Sequence, residues 1–134
     1  MRVRMGDVEE LRLVLTVSYF EAALALYRDA LGLAELADWS EGDAKIVVLD
    51  AGRATLELVN EEQASMIDRV EVGSRVSGPV RIALKVADSE ATSERLAQAS
   101  AVQLAAPVTT PWNDRNVRMR DSEGMQLTLF TTLG

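Results

Sequence analysis

The chain has 134 residues, of which 14 are Lys or Arg and 21 are Asp or Glu, for a formal charge of −7, with 48% hydrophobic residues, no His and no Cys. A chain of this length buries about two thirds of the surface its unfolded form exposes, so a single domain over 1–134 needs neither disulfides nor a structural metal. Without His or Cys there is no Ser-His-Asp triad, no thiolate nucleophile and no zinc site with nitrogen and sulfur ligands, and scattered basic residues on an acidic chain give no basic stripe for nucleic acid.

The start carries positive charge at Arg2 and Arg4 but runs into Glu9 and Glu10 without an apolar core, so no signal peptide is expected. No uncharged apolar run approaches the roughly 18 residues of a membrane span, so no membrane partner is expected, and the lack of Cys suits the cytoplasm. Residues 11–17 then alternate, with Leu11, Leu13, Leu15 and Val17 on one face and Arg12, Val14 and Thr16 on the other, the period of a half-buried strand. Ser18 with Glu21 three residues later reads as a capping box for a helix whose apolar stripe is Phe20, Ala23, Leu24, Tyr27 and Leu31, stopped at Gly32. Strands are expected at 33–38, 45–49 and 55–59, the last after a turn at Asp50-Ala51-Gly52-Arg53. Residues 60–78 are polar and weakly patterned, with a possible helical turn near 63–67, and read as a connector.

The order then restarts. Val80, Ile82, Leu84 and Val86 alternate with Arg81, Ala83 and Lys85, Asp88 caps a helix over 89–99, and strands are expected at 102–105, 116–120 and 125–130. Arg12, Leu13, Leu15 and Val17 match Arg81, Ile82, Leu84 and Val86 at an offset of 69 residues, and Leu56-Glu57-Leu58 matches Leu127-Thr128-Leu129 at 71. The expected fold class is therefore α+β: two β-α-β-β-β modules over about 11–60 and 80–130, joined by a connector over 61–79, with curved mixed sheets around a cleft. Leu13, Leu15, Ile82 and Leu84 are assigned beneath the helices, which leaves Arg12, Val14, Thr16, Glu57, Arg81, Ala83, Gln126 and Thr128 to wall the cleft.

The segment 13–18 leading into Tyr27-Arg28-Asp29-Ala30-Leu31-Gly32, with Pro111-Trp112-Asn113-Asp114-Arg115 and the turn Asp121-Ser122-Glu123-Gly124 late in the chain, resembles the glyoxalase/bleomycin-resistance/dioxygenase superfamily, also called vicinal oxygen chelate. The likeness spans residues 11–130, with Tyr19 standing where the family usually has Asp. In metal-using members the resemblance implies four ligand positions, which map here to Arg12, Glu57, Arg81 and Thr128. Guanidinium groups stay protonated and offer no lone pair, so neither a metal nor any other cofactor is expected, and the lyase and dioxygenase chemistries that need one are disfavoured.

Glu57 paired with Arg12, Arg81 or both would shape the pocket and leave a guanidinium for a ligand oxygen; the alternative is a solvated face or an internal structural ion pair. Trp112 and Trp39 sit in polar loops and either cover a flat ligand or seal a sheet edge or subunit interface, with sealing the stronger reading for Trp39. Asn113 and Arg115 offer polar contacts or simple loop solvation. The ligand-binding set is thus Arg12, Val14, Trp39, Glu57, Arg81, Trp112, Asn113, Arg115 and Thr128. By the resemblance, the leading expectation is a homodimeric, non-catalytic protein that sequesters a drug or natural product, a polycyclic or glycopeptide antibiotic among them. The alternative is an enzyme of the superfamily, either a glyoxalase-like lyase or a metal-free acid–base catalyst using Glu57. Two nearby arginines would lower the Glu57 pKa, which weighs against the base.

Overall fold

The structure, a computed structural model, describes residues 8–134; the basic start at 1–7, with Met5, lies outside the described residues. Among the described residues nine strands form one curved, unclosed mixed sheet in the order β2-β3-β4-β1-β5-β9-β8-β6, with β7 paired to β8. They are β1 (Val8–Thr16), β2 (Glu35–Asp38), β3 (Ile46–Asp50), β4 (Thr55–Val59), β5 (Val80–Val86), β6 (Val102–Gln103), β7 (Val108–Thr109), β8 (Asp114–Arg120) and β9 (Gln126–Thr132). The short β7 was not expected from sequence, and β6 is shorter than expected.

The centre of the sheet carries the internal symmetry. Strand β1 runs parallel to β4 and antiparallel to β5, and β5 runs parallel to β9. Leu13 faces Leu56 and Ile82 faces Leu127, so the offsets of 69 and 71 are one register seen twice. Alternation along these strands sends Leu49, Leu58, Val117, Met119 and Leu129, all fully buried, into the outer apolar clusters. Each such side chain contributes about 1.5–3 kcal/mol relative to exposure.

The first helix, α1 (Phe20–Leu24), continues directly into a π-helical stretch, Ala25–Ala30. The expected capping box does not form. Tyr19 is the N-cap and makes no side-chain cap bond, so Ser18 lies one residue too early to accept from the first turn. The wide turn, with the Leu31 amide donating to Leu26 at 2.9 Å, rotates Leu31 off the apolar stripe and leaves it 64% exposed. Gly32 closes the segment at φ 81°. Ala23, Leu24, Phe20 and Tyr27 pack on Val47, Leu49, Leu56 and Leu58 of β3 and β4.

The expected weakly patterned connector is instead a three-turn helix, α2 (Glu61–Val72). Asn60 accepts from the Gln63 amide at its N-terminus, Glu61 and Glu62 occupy the first turn, and Gly73 ends it in the left-handed region at φ 86°. Its buried residues, Gln63, Ala64, Ile67, Asp68 and Glu71, are mostly polar, which hides the helical period from a hydrophobic reading. The third helix, α3 (Ser89–Gln98), is capped by Asp88, which accepts from the Ala91 amide. Leu13, expected beneath a helix, is 39% exposed, and Leu11 beside it 41%: helix cover on the outer face leaves these side chains of the central strand β1 open.

Candidate active site

On the concave face the sheet and α2 enclose a cavity of about 700 Å³. Val14 of β1 is the partner of Glu57 on β4 and of Arg81 on β5, so these two side chains stand on the same face, one strand to either side of it. Glu57 is 5% exposed and Arg81 7%. The Arg12 Nη1 lies 3.5 Å from Glu57 Oε1, and the Arg81 Nη2 lies 3.9 Å from Glu57 Oε2. Both separations exceed the roughly 2.7–2.9 Å of a charge-assisted hydrogen bond, so neither guanidinium is locked onto the carboxylate.

Arg12 is held from its other sides. Its Nε donates to Glu10 at 2.6 Å, and its Cζ sits 5.7 Å from the Trp39 ring centre and 5.0 Å from that of Phe130, within cation–π range. Trp39 and Trp112, 54% and 41% exposed, stand at the cavity rim.

Burial dominates the electrostatics. It pushes the Glu57 carboxyl above the usual carboxylate range, outweighing the downward pull of Arg81 and Arg12. The sequence argument weighed the two arginines and not the desolvation, and its sign is corrected here. Burial likewise raises Asp114 against the pull of Arg12, and lowers Arg81 from its ordinary value; a guanidinium starts so high that it keeps its charge at neutral pH.

A second charged cluster, which the sequence reading missed, lies against the cavity. Arg118 of β8 is fully buried, with Nη1 2.9 Å from Asp68 Oδ1 and Nε 3.1 Å from Glu71 Oε1. Its Nη1 also donates to Gln126 at 2.8 Å. Asn116 Nδ2 donates to Glu71 at 3.2 Å, and Thr128 donates to the same carboxylate at 2.8 Å. Asn116 Oδ1 and Arg118 Nη2 are buried with no partner among the described residues. Asp68 is held at about 2: burial would raise it, but the Ser77 and Val76 amides and Arg118 pull it down further.

Of the nine expected ligand-binding residues, the structure brings six to the cavity wall: Arg12, Trp39, Glu57, Arg81, Trp112 and Thr128. Three do not line it. Val14 stands on the same face as Glu57 and Arg81 but is 2% exposed, packed beneath the wall in an apolar cluster with Ile46, Val59 and Phe130. Asn113 forms a left-handed turn at φ 68°, and Arg115 is bound to Glu90 at 2.6 Å and Thr109 at 3.2 Å, away from the cavity. The wall also takes Gln63, Met66, Ile67 and Glu71 from α2.

With this geometry in hand, the family model described as Glyoxalase/Bleomycin resistance protein/Dioxygenase superfamily matches residues 11–129. The chain belongs to this family. No curated protein matches the chain. Among solved structures, a methylmalonyl-CoA epimerase from Mycobacterium tuberculosis is similar at TM-score 0.69 and 17% identity, covering 99% of this chain and 94% of that one. A Streptomyces coelicolor methylmalonyl-CoA epimerase in complex with 2-nitronate-propionyl-CoA is similar at TM-score 0.66 and 18% identity, covering 95% and 96%. A glyoxalase/bleomycin resistance protein/dioxygenase superfamily member from Vibrio splendidus 12B01 has TM-score 0.63 and 13% identity, covering 91% and 97%. The similarity to epimerases, which are enzymes, overturns the expectation of a drug-sequestering protein and turns the reading toward its enzymatic alternative.

The metal that the family resemblance implies does not fit this superfamily member. At the four mapped positions, Arg12 and Arg81 bring positive charge and no lone pair, and Thr128 accepts from Arg81 Nη1 at 2.8 Å. Among the described residues no group of three or more His, Cys, Asp or Glu is arranged to hold an ion. The guanidinium groups supply the local positive charge instead.

Proposed function

We propose that this superfamily member is a metal-independent acid–base enzyme that moves a proton at a carbon next to a carbonyl of a small acyl substrate. The observation that carries the reading is Glu57: a buried carboxylate of raised pKa in the cavity wall, between two guanidinium groups that it does not bind at full hydrogen-bonding distance. A base works best when its pKa approaches the working pH, and desolvation moves Glu57 in that direction.

In the proposed step, a Glu57 carboxylate oxygen takes the proton from the carbon. The C–H electron pair becomes the carbon–carbon double bond of an enolate, and the carbonyl π pair moves onto oxygen. Arg81 and Arg12 hold that oxygen, with the new charge neutralised in a site of low water content. Return of a proton to carbon completes an exchange or an inversion, with no net change of redox state. The coenzyme A esters named with the similar epimerases give the first substrate class to test.

As parts of the same reading we propose a homodimer in the cytoplasm. The apolar Leu11 and Leu13 left open on β1 support a self-contact, and the lack of Cys suits a reducing compartment.

The test is deuterium incorporation into methylmalonyl-CoA and propionyl-CoA in heavy water, followed by proton NMR. Catalysed exchange that survives EDTA is expected. The rate should rise with pH through the elevated pKa of Glu57, because the base must be unprotonated, and Glu57→Gln should lower it on the order of 10²-fold or more. Exchange that is unchanged in Glu57→Gln, or that EDTA abolishes and added metal restores, refutes the proposal.

A further inference from the structure

Arg81 has one guanidinium nitrogen tied down and one near Glu57, and the tie shows how it is aimed. Its Nη1 donates to Thr128 Oγ1 at 2.8 Å. The same hydroxyl donates to Glu71 Oε1 at 2.8 Å. A carboxylate is only an acceptor, so the single Thr128 proton goes to Glu71 and the hydroxyl turns its lone pairs to Arg81. Arg118 Nε stands 3.2 Å from the same oxygen and 3.1 Å from Glu71 Oε1, and Asn116 Nδ2 binds Glu71 Oε2 at 3.2 Å. Both oxygens of Glu71 are thus engaged from β8 and β9, and the polarity of the chain Glu71–Thr128–Arg81 is fixed in one direction.

We infer that Thr128 and Glu71 are positioning residues that aim the free Nη2 edge of Arg81 at the substrate oxygen in front of Glu57. This inference rests on the acid–base reading above. It gives the buried charges of α2 a part in the chemistry: the helix carries Glu71 into the cavity wall, and Asp68, one turn earlier on the same helix, binds Arg118 at 2.9 Å and holds the far side of the cluster. A purely structural network would need the Thr128 hydroxyl for stability alone, whereas an aiming network needs it for the orientation of one particular guanidinium.

The experiment has two arms on the full chain. In the first, ¹⁵N-arginine side-chain spectra follow Arg81, assigned by its loss in Arg81→Lys. The Arg81 Nη resonances should be distinct in the parent protein, through hindered rotation, and averaged in Thr128→Val, with Thr128→Ser restoring the parent pattern. In the second, deuterium exchange into methylmalonyl-CoA should show kcat down on the order of 10²-fold in Thr128→Val, the scale for a misplaced catalytic group, with KM changed far less and with recovery in Thr128→Ser. Glu71→Gln, which keeps the shape but lets the amide turn, should give the same direction of change in both arms. If the parent Arg81 pattern persists in a folded Thr128→Val and a folded Glu71→Gln, the aiming is refuted whatever the activity. A loss of kcat that Thr128→Ser fails to restore also refutes it. If the Arg81 pattern changes as expected while the parent protein exchanges no deuterium on either ester, the acid–base reading falls and the aiming of Arg81 stands.

Discussion

Replacing Arg118 by Met is the sharpest test of what holds the cavity wall together. Arg118 is fully buried and meets Asp68 at 2.9 Å, Glu71 at 3.1 Å, Gln126 at 2.8 Å and Thr128 at 3.2 Å. Met is apolar and of comparable length, so the substitution leaves little void; Glu71 loses its paired guanidinium, and Asp68 keeps Arg75 at 3.1 Å with the Val76 and Ser77 amides. Removing one member of a buried ionic cluster costs about 3–5 kcal/mol, because the remaining charge has lost both water and partner. At about 2.1 cal/mol/K of unfolding entropy per residue, that corresponds to a fall in Tm of roughly 10–18 °C for a chain of this size. Urea titration at pH 7, read by the fluorescence of Trp39 and Trp112, measures the loss. Two companions sharpen it. Stripped of the pull of Arg118, Asp68 becomes harder to ionise, so acid relieves the strain and the gap between parent and variant should narrow from pH 7 to pH 4. Adding Asp68→Asn and Glu71→Gln to Arg118→Met should recover much of the loss, since the stranded charges are then gone. A loss below about 1 kcal/mol, or a gap that widens on acidification, would refute the claim that paired charge fixes this wall.

Two further outcomes are expected. Asp68, held at about 2 against its ordinary 3.8, contributes stability that is present above pH 3.8 and is lost as pH falls toward 2. The full linkage is about 2.4 kcal/mol, and because an Asn side chain keeps an oxygen to accept from the Val76 and Ser77 amides, the expected loss in Asp68→Asn is about 1–2 kcal/mol at pH 7, vanishing near pH 2, as read by urea unfolding across pH. Asn60 caps α2 by accepting from Gln63 and also accepts from the Lys45 amide at 3.0 Å and donates to Asp43 at 2.6 Å. Asn60→Ala should therefore cost about 2 kcal/mol, at the upper end for a cap, and lower Tm by about 5–7 °C in calorimetry, with an unchanged Tm counting against the cap.

The fold was legible where burial follows the alternation of apolar residues. Strands β1, β3, β4, β5 and β9 bury aliphatic side chains on at least one face, and the same pattern recurs in both halves at a nearly constant offset, so the strands and the internal repeat could be read together, while their pairing and register came from the structure. The π-helical turn after Leu24 was not legible, because Leu31 keeps helical spacing in sequence and loses its place only when the turn widens. Helix α2 was missed for a related reason. It buries Gln63, Asp68 and Glu71, and a buried polar face sends no hydrophobic signal. Its punctuation was present all the same: Asn60 before Glu61-Glu62, and Gly73 twelve residues on.

The site divides along the same line. Arg12, Glu57, Arg81 and Thr128 could be placed on one face by strand periodicity, and they meet at the cavity. Glu71, Asp68 and Arg118 could not, since their pairing joins a helix to a strand nearly fifty residues away and no local spacing announces it. That omission also explains the error in sign at Glu57. With Arg12 and Arg81 as the visible neighbours, a lowered pKa follows; with α2 set against the concave face Glu57 is buried and the arginines lie beyond close hydrogen-bonding distance, so the cost of burying charge exceeds the attraction. Helix α2 therefore does more than close the cavity: with its side chains set against the concave face, burial outweighs two cations and raises the Glu57 carboxyl, the direction that the proposed base requires.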